Sequence, residues 1–159
     1  MQGSWWQPQS VATAHRTRKS ANQTEQRMVV QDVMSTGLIT IDAHESIGCA
    51  RAKLRQAHVR HLPVVDAGSL VGMLSDRDMP AFDPEVESLY ESRIALNQPT
   101  SSVMSSHLIL ANPESELSEV IDLMLEHKLA ALPIVAHNSR ELLGIVSYID
   151  VLRAARHLV

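Results

Sequence analysis

The chain has 159 residues, 45% apolar and 20% charged, with 14 Lys and Arg against 18 Asp and Glu, a formal charge of −4. That length holds one ordinary domain or two small ones packed together, and the apolar share supplies a core, so global disorder is excluded. The acid excess argues against a dedicated nucleic-acid binder, and the single cysteine, Cys49, rules out an intrachain disulfide or a Cys-based zinc site. No window approaches the roughly 20 apolar residues of a membrane span.

Residues 1–28 read as a flexible tail. They are rich in Gln, Ser, Thr, Asn and Ala, carry Trp5 and Trp6, and set Arg16, Arg18, Lys19 and Arg27 against a lone acid, Glu25. No apolar h-region is present, so a secretory signal is not expected. A cytoplasmic protein is expected, with an organelle transit peptide in this Arg- and Ser-rich stretch as the minor alternative.

After Val33-Met34-Ser35, the run Leu38-Ile39-Thr40-Ile41 predicts a short strand, and Ile47, Ala50, Leu54 and Val59 follow at an approximate helical spacing. Leu62 to Val65 predicts a second strand, Asp66-Ala67-Gly68-Ser69 a turn, and Leu70 to Leu74 a returning strand. Beyond Ser75 a helical pattern resumes. Residues 80–102 form an acidic, partly helical connector, with Val86, Leu89, Tyr90 and Ile94 on one face. It reads as a solvated connecting helix, with a surface for a partner or second subunit as the sharper alternative.

The same order then returns. Val103-Met104-Ser105 and Leu108-Ile109 stand 70 positions after their first copies, as do Leu132-Pro133-Ile134-Val135 after Leu62-Pro63-Val64-Val65. Ser115 is the expected N-cap of a helix whose first turn holds Glu116 and Glu119, and whose apolar stripe is Leu117, Val120, Ile121, Met124 and Leu125. His137 to Arg140 supplies the turn. After a two-residue insertion, Gly72-Met73-Leu74-Ser75 and Asp78 recur as Gly144-Ile145-Val146-Ser147 and Asp150. The unit is β-α-β-β-α, about 50 residues, too small to bury both faces of its own sheet. The predicted fold is therefore α/β (α+β): two such units, 29–79 and 103–159, packed with pseudo-twofold symmetry into one module.

These residues resemble the CBS-domain family, specifically a small stand-alone tandem pair (a Bateman module). The most specific pieces are Arg60-His61-Leu62-Pro63-Val64-Val65-Asp66 and Gly72-Met73-Leu74-Ser75-Asp76-Arg77-Asp78, with their second copies. The acidic insert is also similar to that of acetoin-utilisation-type CBS proteins. The resemblance implies a regulatory, non-catalytic module. It would bind an adenosine-containing effector (AMP, ADP, ATP, NAD or S-adenosylmethionine) between the repeats, pair into a homodimer, and act on an unidentified effector protein.

The repeated G-h-h-S-x-x-D element has a chemistry suited to that role. A Ser at a helix start stands beside free backbone N–H groups that favour an anion, and an Asp one turn later can accept from a ribose diol. By resemblance, Asp78 and Asp150 hold ribose, while Ser75 and Ser147 sit near phosphate. The Asp150 cleft would borrow Ser35, Thr40, Val59, Arg60 and His61 from the first repeat. The Asp78 cleft, with Arg77, would borrow Ser105, Leu110, Leu129, Ala130 and Ala131 from the second. Because Arg60-His61 corresponds to Ala130-Ala131, the Asp150 cleft is expected to be the better seat for a charged phosphate tail. The bland reading of any one S-x-x-D is a helix cap, and an interaction module with empty clefts is the rival function.

No metal-ligand spacing is found among the eight His residues, and no nucleophile elbow or phosphate-binding glycine loop occurs. Neither a metal nor a catalytic cofactor is expected. Cys49 falls off the apolar stripe of its helix, and the Met residues read as core.

Overall fold

The computed structural model describes residues 27–79 and 89–156, the side chains of 89–92 excepted. The tail expectation therefore falls outside the described residues, apart from Arg27 and Met28. Those two are held: Arg27 pairs with Glu116, and the Met28 carbonyl accepts from Leu117 N at 2.9 Å.

In the first repeat, β1 (Ile41–Asp42) runs parallel to β2 (His61–Asp66), which turns back antiparallel into β3 (Ser69–Ser75). Helix α1 (Ile47–Ala57) crosses between β1 and β2. Ser46 caps it by accepting from Cys49 N at 3.2 Å, and His58 ends it in the left-handed region at φ 52°. The β2–β3 hairpin closes through Ala67 at φ 46° and Gly68 at φ 80°. Two positive φ values suit the right-handed twist of a two-residue hairpin, and Gly68 meets that demand without strain. In the connector, helix α2 (Leu89–Asn97) lies against α1 where Gly48 removes a side chain: a Cβ there would stand 3.4 Å from the Leu96 carbonyl. Ile94 is exposed, and Val86, Leu89 and Tyr90 of the expected apolar face lie outside the described side chains.

The second repeat has α3 (Leu117–Glu126), β4 (Ala131–Val135), β5 (Leu142–Ser147) and α4 (Tyr148–Arg156). The β4–β5 ladder repeats that of β2–β3 70 to 72 positions on, down to the irregularity after Ile134 that answers the one after Val64. Four expectations need correction. The strand over Leu38–Ile41 shrinks to Ile41–Asp42, and its second copy to a single bridge from Ala111 to Ile134. The helix after Ser75 is only a 3₁₀ turn, Asp76–Asp78, among the described residues. The cap of α3 is Glu116, with no side-chain bond, because Ser115 Oγ instead accepts from Asn112 N at 3.1 Å. Leu125 is 72% exposed, since the buried face of α3 is spanned by Leu117, Val120 and Met124.

The two units are interlocked. Ser35 exchanges backbone hydrogen bonds with Ile145 of β5 at 2.9 and 3.1 Å, and Ser105 exchanges them with Met73 of β3 at 2.9 and 2.8 Å. Each repeat's lead-in segment thus forms the next rung on the other repeat's sheet. The cores follow the same exchange. Val30, fully buried, joins Val120, Leu132, Ile134 and Val146, with Val33 and Met34 packed alongside. Val103 and Met104 pack instead on Ile41, Ala50, Leu62, Val64 and Leu74 of the first repeat. Burying a valine of this kind stabilises the fold by about 1.5–3 kcal/mol, so neither repeat has a complete core without the other's segment. Thr100, fully buried, reinforces the join by donating its N–H and Oγ1 to the Glu45 carbonyl, both at 2.8 Å.

Candidate functional site

The interlock places the ends of β3 and β5 beside the opposite lead-in segments and leaves two clefts between the repeats. One, about 340 Å3, is lined by Ser75, Arg77 and Asp78 of the first repeat and by Ser105, Leu129, Ala130 and Ala131 of the second. The other, about 520 Å3, is lined by Ser35, Val59, Arg60 and His61 of the first and by Ser147 and Asp150 of the second. Both fall in the size range of small-molecule sites, about 300–1,000 Å3. Of the residues singled out from sequence, Thr40 lines neither cleft; its carbonyl is held by Lys53 Nζ at 3.0 Å beside α1. Leu110 lines a separate shallow depression with Asn112 and Arg140.

The two Ser-x-x-Asp turns have the same local geometry. Asp150 Oδ2 accepts from Ser147 N at 2.9 Å and from Ser147 Oγ at 2.6 Å. Asp78 Oδ2 accepts from Ser75 N at 2.7 Å and from Ser75 Oγ at 2.6 Å. Each carboxylate is thereby fixed in orientation through one oxygen, Oδ2. The environments differ: Asp150 is 9% exposed, whereas Asp78 is exposed. Asp150 Oδ1 has Arg153 at 3.5 Å, one helical turn on.

The expected division of cations between the clefts does not hold. Arg60 and His61 line both clefts, as do Ala131 and Tyr148, so these four make the ridge between them. Arg60 Nε donates to Asp76 Oδ2 at 3.0 Å, and Asp76 N returns a bond to the Arg60 carbonyl at 3.0 Å. The Asp76 carboxylate holds the guanidinium above its ordinary range, with a smaller contribution from Tyr148. Burial pushes the His61 imidazole below its usual value; Asp76 opposes this and Arg60 reinforces it. The fold therefore favours the neutral imidazole. With the folded value below the unfolded one, its contribution to stability is complete above the unfolded pKa of about 6.5 and is lost as pH falls through the folded value. His61→Gln is expected to flatten the fall in melting temperature between pH 7.5 and pH 5, read by differential scanning calorimetry.

Polar lining residues that sequence reasoning left out of the site include His58, His107, Lys128, Tyr148 and Arg153. The signal for Lys128 was available: it stands 70 positions after His58, and both take the left-handed conformation that ends their helices, at φ 54° and 52°. Among the described residues, no group of three or more His, Cys, Asp or Glu could hold a metal ion, and no helix is long and apolar enough to cross a membrane.

Comparison with known proteins agrees with this geometry. The family profile of the CBS domain matches residues 30–79 and 101–157. The chain belongs to the CBS-domain family. It is 36% identical over 121 residues to the CBS domain-containing protein YhcV of Bacillus subtilis, covering 76% of this chain and 81% of YhcV. The structure of a Vibrio cholerae protein assigned to acetoin utilization (AcuB) superposes with a TM-score of 0.68 at 28% identity, over 83% of this chain and 93% of that one. That of CBSX2 in complex with AMP superposes with a TM-score of 0.70 at 27% identity, over 82% and 97%. The mixed α/β architecture is that of a CBS domain pair, and the similarity to an acetoin-utilisation-type pair noted in the sequence extends to the fold.

Proposed function

We propose that this chain is a non-catalytic regulatory module that senses an adenosine-containing ligand between its two CBS repeats. The observation that carries the reading is the mirrored composition of the clefts. Each joins a Ser-x-x-Asp turn of one repeat to the lead-in serine and helix end of the other: Ser147 and Asp150 with Ser35 and Val59, Ser75 and Asp78 with Ser105 and Leu129. A ligand seated there touches both repeats, so its binding energy depends on their relative orientation, which is the physical requirement for a sensor. In this reading Asp150 and Asp78 accept from ribose hydroxyls, the serines and nearby cations face phosphate, and the aliphatic walls take the purine. The AMP bound by CBSX2 supports that ligand class.

One feature favours a second reading, an interaction module with empty clefts: both aspartates already have an oxygen engaged by a serine, as a plain cap would. A thermal-shift panel with AMP, ADP, ATP, NAD and S-adenosylmethionine separates the two. A ligand at about 100 times its Kd stabilises the fold by about 2.7 kcal/mol, and a clear rise in melting temperature with one of them is expected. No rise with any of the five favours the interaction module.

A homodimer belongs to the same proposal. It is supported by apolar side chains left in solvent: Leu125 on α3, 72% exposed, and Leu152 on α4, 61% exposed. Leu152→Glu is expected to convert a dimer to a monomer in light scattering coupled to size exclusion. An unchanged mass places the interface elsewhere or shows none.

A further inference from the structure

The two clefts draw on corresponding positions of the two repeats, yet their charges are deployed differently. Lys128 takes in one cleft the position His58 takes in the other, and His107 stands 70 positions after Gly37. The permanent cations lining the Asp150 cleft are both committed: Arg60 to Asp76 at 3.0 Å and Arg153 to Asp150 at 3.5 Å. The Asp78 cleft shares Arg60 and adds Arg77 and Lys128, neither of which pairs with a carboxylate among the described residues. Arg77 comes from the first repeat and Lys128 from the second, so opposite repeats each contribute a cation with no carboxylate partner among the described residues, and His107 lines the same cleft. The carboxylates on this side, Asp76 and Asp78, are tied to Arg60 and Ser75. Both clefts have aliphatic walls, but the Asp150 cleft is larger and more of its exposed lining is apolar, with Leu38, Ile39, Val59, Ile145 and Ile149.

A chain of phosphates carries several charges and gains most where unpaired cations meet it, because no existing ion pair has to be broken. We propose that the two clefts divide ligands by charge: the Asp78 cleft seats a nucleoside di- or triphosphate, and the Asp150 cleft an adenosyl ligand with one phosphate or none. Lys128 and Arg77 are the residues that set this specificity. The proposal rests on the reading that the clefts hold adenosine-containing ligands.

The test is calorimetric titration of the full chain with ATP and with AMP, in wild type, in the double variant Arg77→Gln/Lys128→Asn, and in Arg153→Gln. Asparagine suits the φ of 54° at position 128, and melting curves without ligand verify that each variant is folded. Losing a charge-assisted bond to phosphate weakens binding by about tenfold or more. Wild type is expected to prefer ATP over AMP by at least about tenfold at one of two sites, and the double variant to lose that preference. Retention of the preference in the double variant, or its loss in Arg153→Gln, overturns the assignment. Equal affinity of wild type for the two nucleotides overturns it as well. Absence of binding by either nucleotide to wild type overturns the parent reading instead, and is seen before any variant is compared.

Discussion

Gly144→Ala is expected to destabilise the chain by about 1–3 kcal/mol, a large effect for one methyl group. A Cβ at this position would lie 2.5 Å from Met34 Sδ, 3.1 Å from Met34 Cγ and 3.3 Å from the Ser35 carbonyl. The contact is therefore with the other repeat's lead-in segment, at the rung where Ser35 and Ile145 exchange hydrogen bonds. Because the shortest of these contacts are with a side chain, the effect has a partner-dependent signature. In a Met34→Ala background, Gly144→Ala is expected to cost at least about 1 kcal/mol less than in wild type, by urea denaturation of all four members of the cycle. Additive costs contradict the interlock. Gly72 makes the same demand on the other side, where a Cβ would meet Met104, with its Cγ at 2.9 Å, so Gly72→Ala with Met104→Ala is the mirror of this cycle.

The second large effect is at Asp150. On the proposed function, Asp150→Ala is expected to weaken binding of an adenosyl ligand in its cleft by about 100-fold or more, through loss of the charge-assisted bonds proposed to a ribose diol. It also removes the acceptor that holds Ser147 N and Oγ. A stability cost of about 1–2 kcal/mol accompanies it, as for loss of a helix cap. The two effects separate in titrations at a temperature where the variant remains folded. Stability lost with affinity unchanged is the signature of a cap alone. Asp78→Ala, at an exposed carboxylate, is expected to cost less stability while weakening the other cleft.

The repeat made much of this architecture legible. An offset of 70 residues, rising to 72 after the two-residue insertion, located both hairpins, both helix–strand junctions and both Ser-x-x-Asp turns, since matched spacing constrains matched structure. What a one-dimensional comparison does not carry is which repeat a segment packs against. Val30 and Met34 open the first repeat yet pack in the core of the second, and no local pattern distinguishes that from packing on their own unit. The same gap explains the misplaced cations. Pairing Arg60-His61 with Ala130-Ala131 suggested that the Asp150 cleft held Arg60 and His61 and the Asp78 cleft only Arg77, but residues on a shared ridge serve both sides. Thr40 was carried into the cleft by family resemblance, whereas its carbonyl is held by Lys53 beside α1, and Leu125 was assigned by continuing a helical stripe beyond the buried face of its helix.

The most direct test of the central claim, that an adenosine-containing ligand bridges the repeats, is the amide NMR spectrum of the full chain titrated with AMP. The account predicts concerted shifts at Ser35, Val59 and His61 of the first repeat together with Ser147 and Asp150 of the second, or at the mirrored set Ser75, Asp78, Ser105 and Leu129. Unchanged spectra at saturating AMP, or shifts confined to one repeat away from both clefts, would contradict it.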